Sequence, residues 1–119
     1  MEARKVIPVP SNTFKATVIR IIDGDTVLAV LHLGFAVSIE RPCRIRGYDS
    51  PEMRGPQKIA ALKATQALRA VLPEQTDFLI CCPSWSVDRY CRIVGDWYLL
   101  DGTLVTTLLP QEYIIPRRP

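Results

Sequence analysis

The sequence has a single histidine, His32, and its four cysteines lack the spacing that structural zinc sites use. Such sites usually contain a cysteine pair separated by two to four residues, whereas Cys81 and Cys82 are adjacent and the other two lie farther away. A hydrolase with a histidine base would depend on His32, which stands in an apolar run without an evident nucleophile. The sequence argues against both kinds of site and predicts four reduced thiols, buried as apolar groups.

Long apolar runs are also missing. The first ten residues include Glu2, Arg4, Lys5 and two prolines, so they lack the apolar stretch of a secretory signal. No later run reaches the roughly 18 apolar residues that a membrane span needs. We therefore expect a soluble, cytoplasmic protein with no membrane among its partners.

The sequence also lacks a large excess of either positive or negative charge. Lys and Arg number 15 against 12 Asp and Glu, which gives a net charge of +3 without a dense basic block. This surplus favours polyanionic partners only weakly.

A chain of 119 residues has room for one core. We predict a loose arm over residues 1–12, one domain over residues 13–115 and a Pro/Arg-rich tail over residues 116–119.

What the sequence does contain is a series of strand patterns. Residues 17–22 and 27–33 are rich in β-branched and apolar residues and flank a turn sequence, which predicts a pair of strands. Residues 37–46 alternate apolar and polar side chains, as a half-buried strand does. Pro42 interrupts this stretch and favours an edge position or a bulge there.

One helix pattern follows these strands. From residue 56 to residue 72, alanine and leucine recur at helical spacing until Pro73 ends the pattern. Residues 78–82 and 92–100 predict two further strands, and residues 103–109 predict a short helix capped by a threonine. Five strands, one inserted amphipathic helix and a short C-terminal helix predict a mainly β, α+β fold, namely a small Greek-key barrel.

Acidic and basic residues concentrate in three segments, at positions 23–26, 44–52 and 88–92. Together they supply oxygen ligands, a spare carboxylate and two guanidinium groups, which metal-assisted attack on a phosphodiester requires. Taken singly, each segment has an ordinary structural use as a turn, an exposed strand face or a solvated loop. We favour the chemical interpretation because those structural uses give no reason for one complementary set.

In this order the three segments resemble the staphylococcal-nuclease-like (thermonuclease) family, from about residue 17 to residue 109. The resemblance lies in Ile22-Asp23-Gly24-Asp25-Thr26-Val27, in Arg44 five positions before Asp49-Ser50-Pro51-Glu52, and in Asp88-Arg89-Tyr90-Cys91-Arg92. It implies an OB-fold barrel and a calcium-dependent nuclease. The implied partners are DNA, with single strands preferred, and RNA as a further substrate.

The resemblance also implies a metal site and a base. Asp25, Asp49 and the main-chain carbonyl of Ser50 would hold Ca²⁺, an ion that accepts several oxygen ligands in irregular geometry. Glu52 would act as the general base that orients or deprotonates the attacking water.

Two arginines complete the implied site. Arg44 and Arg92 would grip the phosphate and stabilise the transition state, because a planar guanidinium can hold two oxygens. Tyr90 would contact a substrate phosphate. Cys91 stands where the family commonly has glycine, so a positive φ at this position would place a cysteine under strain.

One alternative belongs to a different functional class: a catalytically silent nucleic-acid- or protein-binding module on the same fold. Such modules typically lose an acidic ligand or an arginine. This sequence keeps the whole set, which favours an enzyme.

Overall fold

The structure, a computed structural model, describes residues 12–115. The predicted arm, apart from Asn12, and the predicted tail over residues 116–119 lie outside the described residues. The elements in chain order are β1 (Thr13–Asp23), β2 (Thr26–Gly34), β3 (Val37–Ile45), α1 (Lys58–Val71), β4 (Asp77–Cys81) and β5 (Ile93–Tyr98), followed by 3₁₀ turns at Val105–Leu108 and Gln111–Tyr113.

The five strands form a closed barrel in the order β1-β2-β3-β5-β4. β1 pairs with β2 on one side and with β4 on the other, both antiparallel, and the latter pairing closes the barrel. β3 and β5 are parallel and pair from Cys43 with Ile93 to Ile45 with Gly95. The prediction of a five-stranded barrel with one inserted helix is confirmed.

Two local irregularities of the strands are a pair of register shifts and a proline. The register of β1 against β2 shifts between Val18 and Arg20 and again between Ile21 and Asp23, as it does at β-bulges, which increase local twist. Pro42 pairs with β2 only, because pairing of β3 with β5 begins at Cys43. A proline is tolerated at such an edge position, as the sequence predicted.

The barrel interior is filled by large apolar side chains. Phe78 from β4 and Trp97 from β5 are fully buried, with ring centroids 4.9 Å apart. Helix α1 contributes Ala61, Ala64 and Leu68 as buried residues on one face, which agrees with the predicted amphipathic pattern. The helix therefore packs on the barrel through small residues that permit a close approach.

Gly24, in the turn between β1 and β2, lies where three segments meet. A Cβ atom built on Gly24 would lie 2.7 Å from Cβ of Ala64 and 2.8 Å from Cβ of Ser50. Only glycine leaves room for the helix and the loop after β3 to approach this turn so closely. This packing holds the turn next to Ser50.

The short C-terminal helix predicted over residues 103–109 is present as one 3₁₀ turn over Val105–Leu108. Its N-cap is Leu104, which has no side-chain cap bond. The backbone N–H of Thr103 instead donates to Asp101, and Leu104 forms a β-bridge with Tyr98. The predicted threonine cap is wrong because the chain is still extended at this point.

None of the helices within residues 12–115 is long and apolar enough to cross a membrane.

We expect Gly24→Ala to lower the free energy of unfolding by about 1–3 kcal/mol, because the added methyl group overpacks the contact with Ala64 and Ser50. Gly24→Ser, which adds a further atom, should cost more. Urea unfolding at constant pH measures both. Equal stability of Gly24→Ala and the wild type would contradict the packing described here.

Candidate active site

A cleft of about 310 Å³ lies where the β1–β2 turn, the end of β3 and two loops meet. It brings together all the residues to which the resemblance gave a role in binding or catalysis, although they come from three separate segments. Its lining consists of Asp23, Asp25, Arg44, Asp49, Ser50, Pro51, Glu52, Tyr90 and Arg92.

Asp25 links the parts of this cleft. It is 5% exposed, its Oδ1 accepts a hydrogen bond from the Thr26 hydroxyl at 2.7 Å, and its Oδ2 accepts one from the Ser50 N–H at 3.0 Å. Burial by itself would raise the pKa of Asp25, but bonds from Asp23, Thr26 and Ser50 and the charge of Arg44 outweigh it and lower the pKa. Asp25 is therefore a charged carboxylate at neutral pH.

The pKa of Asp23 is shifted in the opposite direction. Burial, followed by hydrogen bonding to Asp25 and repulsion from its charge, raises the pKa of Asp23 to about 6. The Oδ1 atom of Asp23 also accepts the backbone N–H of Asp25 at 3.0 Å. Asp23 thus fixes the turn that carries Asp25 and adds negative charge to the cleft above about pH 6.

Arg44 joins the two predicted metal-binding carboxylates. Its Nη2 lies 3.2 Å from Oδ1 of Asp49 and 3.5 Å from Oδ2 of Asp25. The Arg44 side chain is 20% exposed, whereas that of Asp49 is 69% exposed. The guanidinium therefore compensates the buried charge of Asp25, and Asp49 approaches it from the solvent side.

The donor chemistry at this position fits a hard cation. Within residues 12–115, no three His, Cys, Asp or Glu side chains lie close enough together to hold a metal ion. The Ca²⁺ site that the resemblance implies needs only two ligating side chains, because its other ligands are one main-chain carbonyl and waters. Asp25 and Asp49 both reach the same Arg44 nitrogen, and Ser50 is bonded to Asp25 through its N–H. A cation held there would compete with Arg44 for the same oxygens.

Glu52 lines the same cleft from the loop between β3 and α1, and it is exposed. No described hydrogen bond or ion pair engages its carboxylate. This side chain is therefore available to a water molecule or to a ligand in the cleft.

Arg92 is held by Asp88, to which the sequence assigned no role. Oδ2 of Asp88 accepts the Nε–H of Arg92 at 2.9 Å, and Oδ1 accepts the backbone N–H groups of Tyr90 and Arg92, each at 2.9 Å. Burial by itself would raise the pKa of Asp88, but the bonds from Arg92 and Tyr90 and the charge of Arg92 together outweigh it and lower the pKa. An aspartate four residues before an arginine in a polar loop was the available sequence signal, because Asp side chains commonly bond to backbone two residues on.

Tyr90 lies next to two arginines of this loop. The guanidinium carbons of Arg89 and Arg92 lie 4.9 and 5.0 Å from the centroid of its ring, and Arg89 donates a hydrogen bond to its hydroxyl. The residue is 59% exposed. Tyr90 is therefore accessible from solvent, and its hydroxyl is already engaged by Arg89.

The expected strain at Cys91 is present. Its φ is 62°, in the left-handed region, as the resemblance suggested for a position that commonly carries glycine. All four cysteines are free, in agreement with the predicted reduced thiols, and Cys43 and Cys82 are buried. Cys91 is exposed, so the prediction of buried thiols is wrong for this residue, because it belongs to a surface loop rather than to a strand.

We expect Asp23→Asn to be more stable than the wild type at pH 8 by about 1 kcal/mol, because asparagine avoids burying a negative charge next to Asp25. The gain is small because solvent screens part of the repulsion at this half-buried position. The pKa of Asp23 rises from 3.8 to about 6 on folding, so its contribution to stability is full below pH 3.8 and is lost as the pH rises through about 6. The gain should accordingly disappear near pH 4. Urea unfolding at both pH values measures it, and a gain of equal size at both would contradict the raised pKa.

We expect Cys91→Gly to raise the free energy of unfolding by about 0.5–1 kcal/mol, because glycine adopts the left-handed region without a Cβ penalty. Gln75→Gly is a matched comparison, since Gln75 has φ 70° in another loop. Both variants should unfold at higher urea concentration than the wild type. A loss of stability in Cys91→Gly alone would show that the thiol makes a stabilising contact.

No protein-family model matches the chain, and no curated protein sequence matches it significantly.

Proposed function

We propose that the chain is a Ca²⁺-dependent nuclease that hydrolyses phosphodiester bonds of DNA, with single strands preferred, and of RNA. The observation that carries this proposal is the single cleft lined by two carboxylates, a spare glutamate and two arginines from three separate segments. We also assign the barrel to the OB type. The strand order β1-β2-β3-β5-β4, with closure between β1 and β4, supports that assignment.

Asp25, Asp49 and the main-chain carbonyl of Ser50 would hold Ca²⁺, which would polarise a phosphate oxygen when bound. Two properties of these residues support the assignment. The pKa of Asp25 is lowered, so its carboxylate is ready to accept a cation. Asp49 is largely exposed, so its carboxylate can turn toward a ligand that enters from solvent.

Glu52 is the proposed general base. Proton transfer requires the base to be within hydrogen-bond reach of the attacking water, directly or through one further water. Two observations support this role: Glu52 lines the cleft, and its carboxylate is not engaged by any described side chain. Its position three residues after Asp49 brings base and metal ligand to the same loop.

Arg44 and Arg92 would bind the phosphate and stabilise the negative charge that develops in the five-coordinate transition state. Arg44 would act from the β3 side of the cleft and Arg92 from the loop before β5. The Tyr90 hydroxyl and ring would contact the substrate beside Arg92. Because these contacts address phosphates rather than base edges, cleavage should show little base selectivity.

We expect Glu52→Gln to lower kcat by about 10²–10⁴-fold on a fluorescently labelled single-stranded oligonucleotide with millimolar Ca²⁺, because the base can no longer take a proton. A Ca²⁺ chelator should abolish cleavage by the wild type. Glu74→Gln is the matched control, since Glu74 is exposed and lies outside the cleft lining. Its kcat should equal that of the wild type.

Two results would contradict the proposal in different ways. Cleavage that is indifferent to both chelator and Glu52→Gln would mean that other groups perform the chemistry. Oligonucleotide binding without strand scission would instead identify a catalytically silent binding module on this barrel.

A further inference from the structure

We propose that Asp88 is a positioning residue for Arg92: it holds the guanidinium through Nε and leaves both terminal NH₂ groups available for a phosphate. This inference deepens the proposed function and rests on it, because Arg92 needs a phosphate partner for its orientation to matter. The proposal concerns a carboxylate that is outside the lining of the cleft but bonded to a side chain within it.

The contacts of Asp88 close a tight loop around Arg92. One carboxylate oxygen bonds to the side chain of Arg92 and the other to two backbone N–H groups, at Tyr90 and Arg92. The backbone N–H of Asp88 donates to the carbonyl of Arg92 at 2.9 Å, and the N–H of Cys91 donates to the carbonyl of Asp88. The backbone of Arg92 and the root of its guanidinium are thus fixed by the same residue.

The choice of nitrogen is what makes this contact useful. A guanidinium has five N–H donors, one on Nε and four on the terminal nitrogens. A carboxylate that accepts only the Nε–H leaves the two terminal nitrogens as a fork for two phosphate oxygens. The Tyr90 ring also lies beside this guanidinium, with its centroid 5.0 Å from the guanidinium carbon of Arg92.

The other arginine of the cleft is held differently. Arg44 is bound through a terminal nitrogen, Nη2, which both Asp25 and Asp49 approach. A phosphate must compete with those carboxylates for Arg44, whereas Arg92 offers its terminal nitrogens without breaking its contact to Asp88. The pair of Asp88 and Arg92 is also only about a quarter exposed, at 23% and 25%, so solvent screens it less than a fully exposed pair.

A kinetic experiment tests this role. We expect Asp88→Ala to lower kcat about 10–100-fold with a smaller change in KM, because a misplaced catalytic group mainly costs transition-state stabilisation. Asp88→Asn keeps an oxygen for the backbone N–H groups and should fall in between. Asp101→Ala is the matched control, since Asp101 accepts the backbone N–H of Thr103 in a similar turn but bonds to no arginine within residues 12–115. Its kcat should not change.

A double-mutant cycle separates positioning from loop support. If Asp88 acts through Arg92, Asp88→Ala should change kcat by less than about twofold in an Arg92→Ala background. An equal loss in both backgrounds would overturn the inference, because Asp88 would then act through Tyr90 or through the loop itself. Urea unfolding midpoints close to the wild type would verify that each variant is folded.

A spectroscopic readout does not depend on catalysis. The Nε–H resonance of Arg92, recorded by ¹H–¹⁵N NMR in the presence of chelator, should be protected from solvent exchange in the wild type and lose protection in Asp88→Ala. Unchanged protection in Asp88→Ala would overturn the role of Asp88 but not the proposed function. Absence of cleavage by the wild type would overturn the proposed function, and the two failures are therefore distinguishable.

Discussion

A nearly buried negative charge on Asp25 is the constraint on which the rest of the cleft depends. Removing a carboxylate from water is costly unless hydrogen bonds and an opposite charge replace the lost solvation. Here the Thr26 hydroxyl and the Ser50 N–H donate the hydrogen bonds and the Arg44 guanidinium supplies the opposite charge, and the three groups come from three parts of the chain. Satisfying one charge therefore draws the turn after β1, the end of β3 and the loop before α1 into a single site.

The two arginines illustrate two ways of keeping a cation near a site. Arg44 compensates the carboxylates directly, so its availability to a ligand depends on what else neutralises Asp25 and Asp49. Arg92 is anchored through Nε by Asp88, a carboxylate outside the cleft lining, and no residue in the described part of the chain hydrogen-bonds to its terminal nitrogens. A cation bound as proposed by Asp25 and Asp49 would compete with Arg44 for their oxygens, but not with Arg92 for Asp88.

Local sequence signals predicted most of the elements, because each depends on short-range physics. The helix was predicted from the recurrence of alanine and leucine and from the Pro73 stop, and it forms over Lys58–Val71. The short C-terminal helix forms as a 3₁₀ turn over Val105–Leu108, but its predicted threonine cap is wrong, since the β-bridge between Tyr98 and Leu104 keeps the chain extended there. Tertiary pairing overrode local propensity there.

The sequence by itself determined the strand and helix pattern, the inventory of carboxylates and guanidinium groups, and the expectation of strain at Cys91. Only the tertiary structure decided which of these groups meet, because closure of β1 onto β4 and the Gly24 contact set distances that no local spacing encodes. It also decided the pKa order of Asp23 and Asp25, two residues apart in one turn. Burial by itself raises the pKa of both residues, but at Asp25 the hydrogen bonds from Asp23, Thr26 and Ser50 and the charge of Arg44 outweigh burial and lower the pKa, and Ser50 and Arg44 come from elsewhere in the fold.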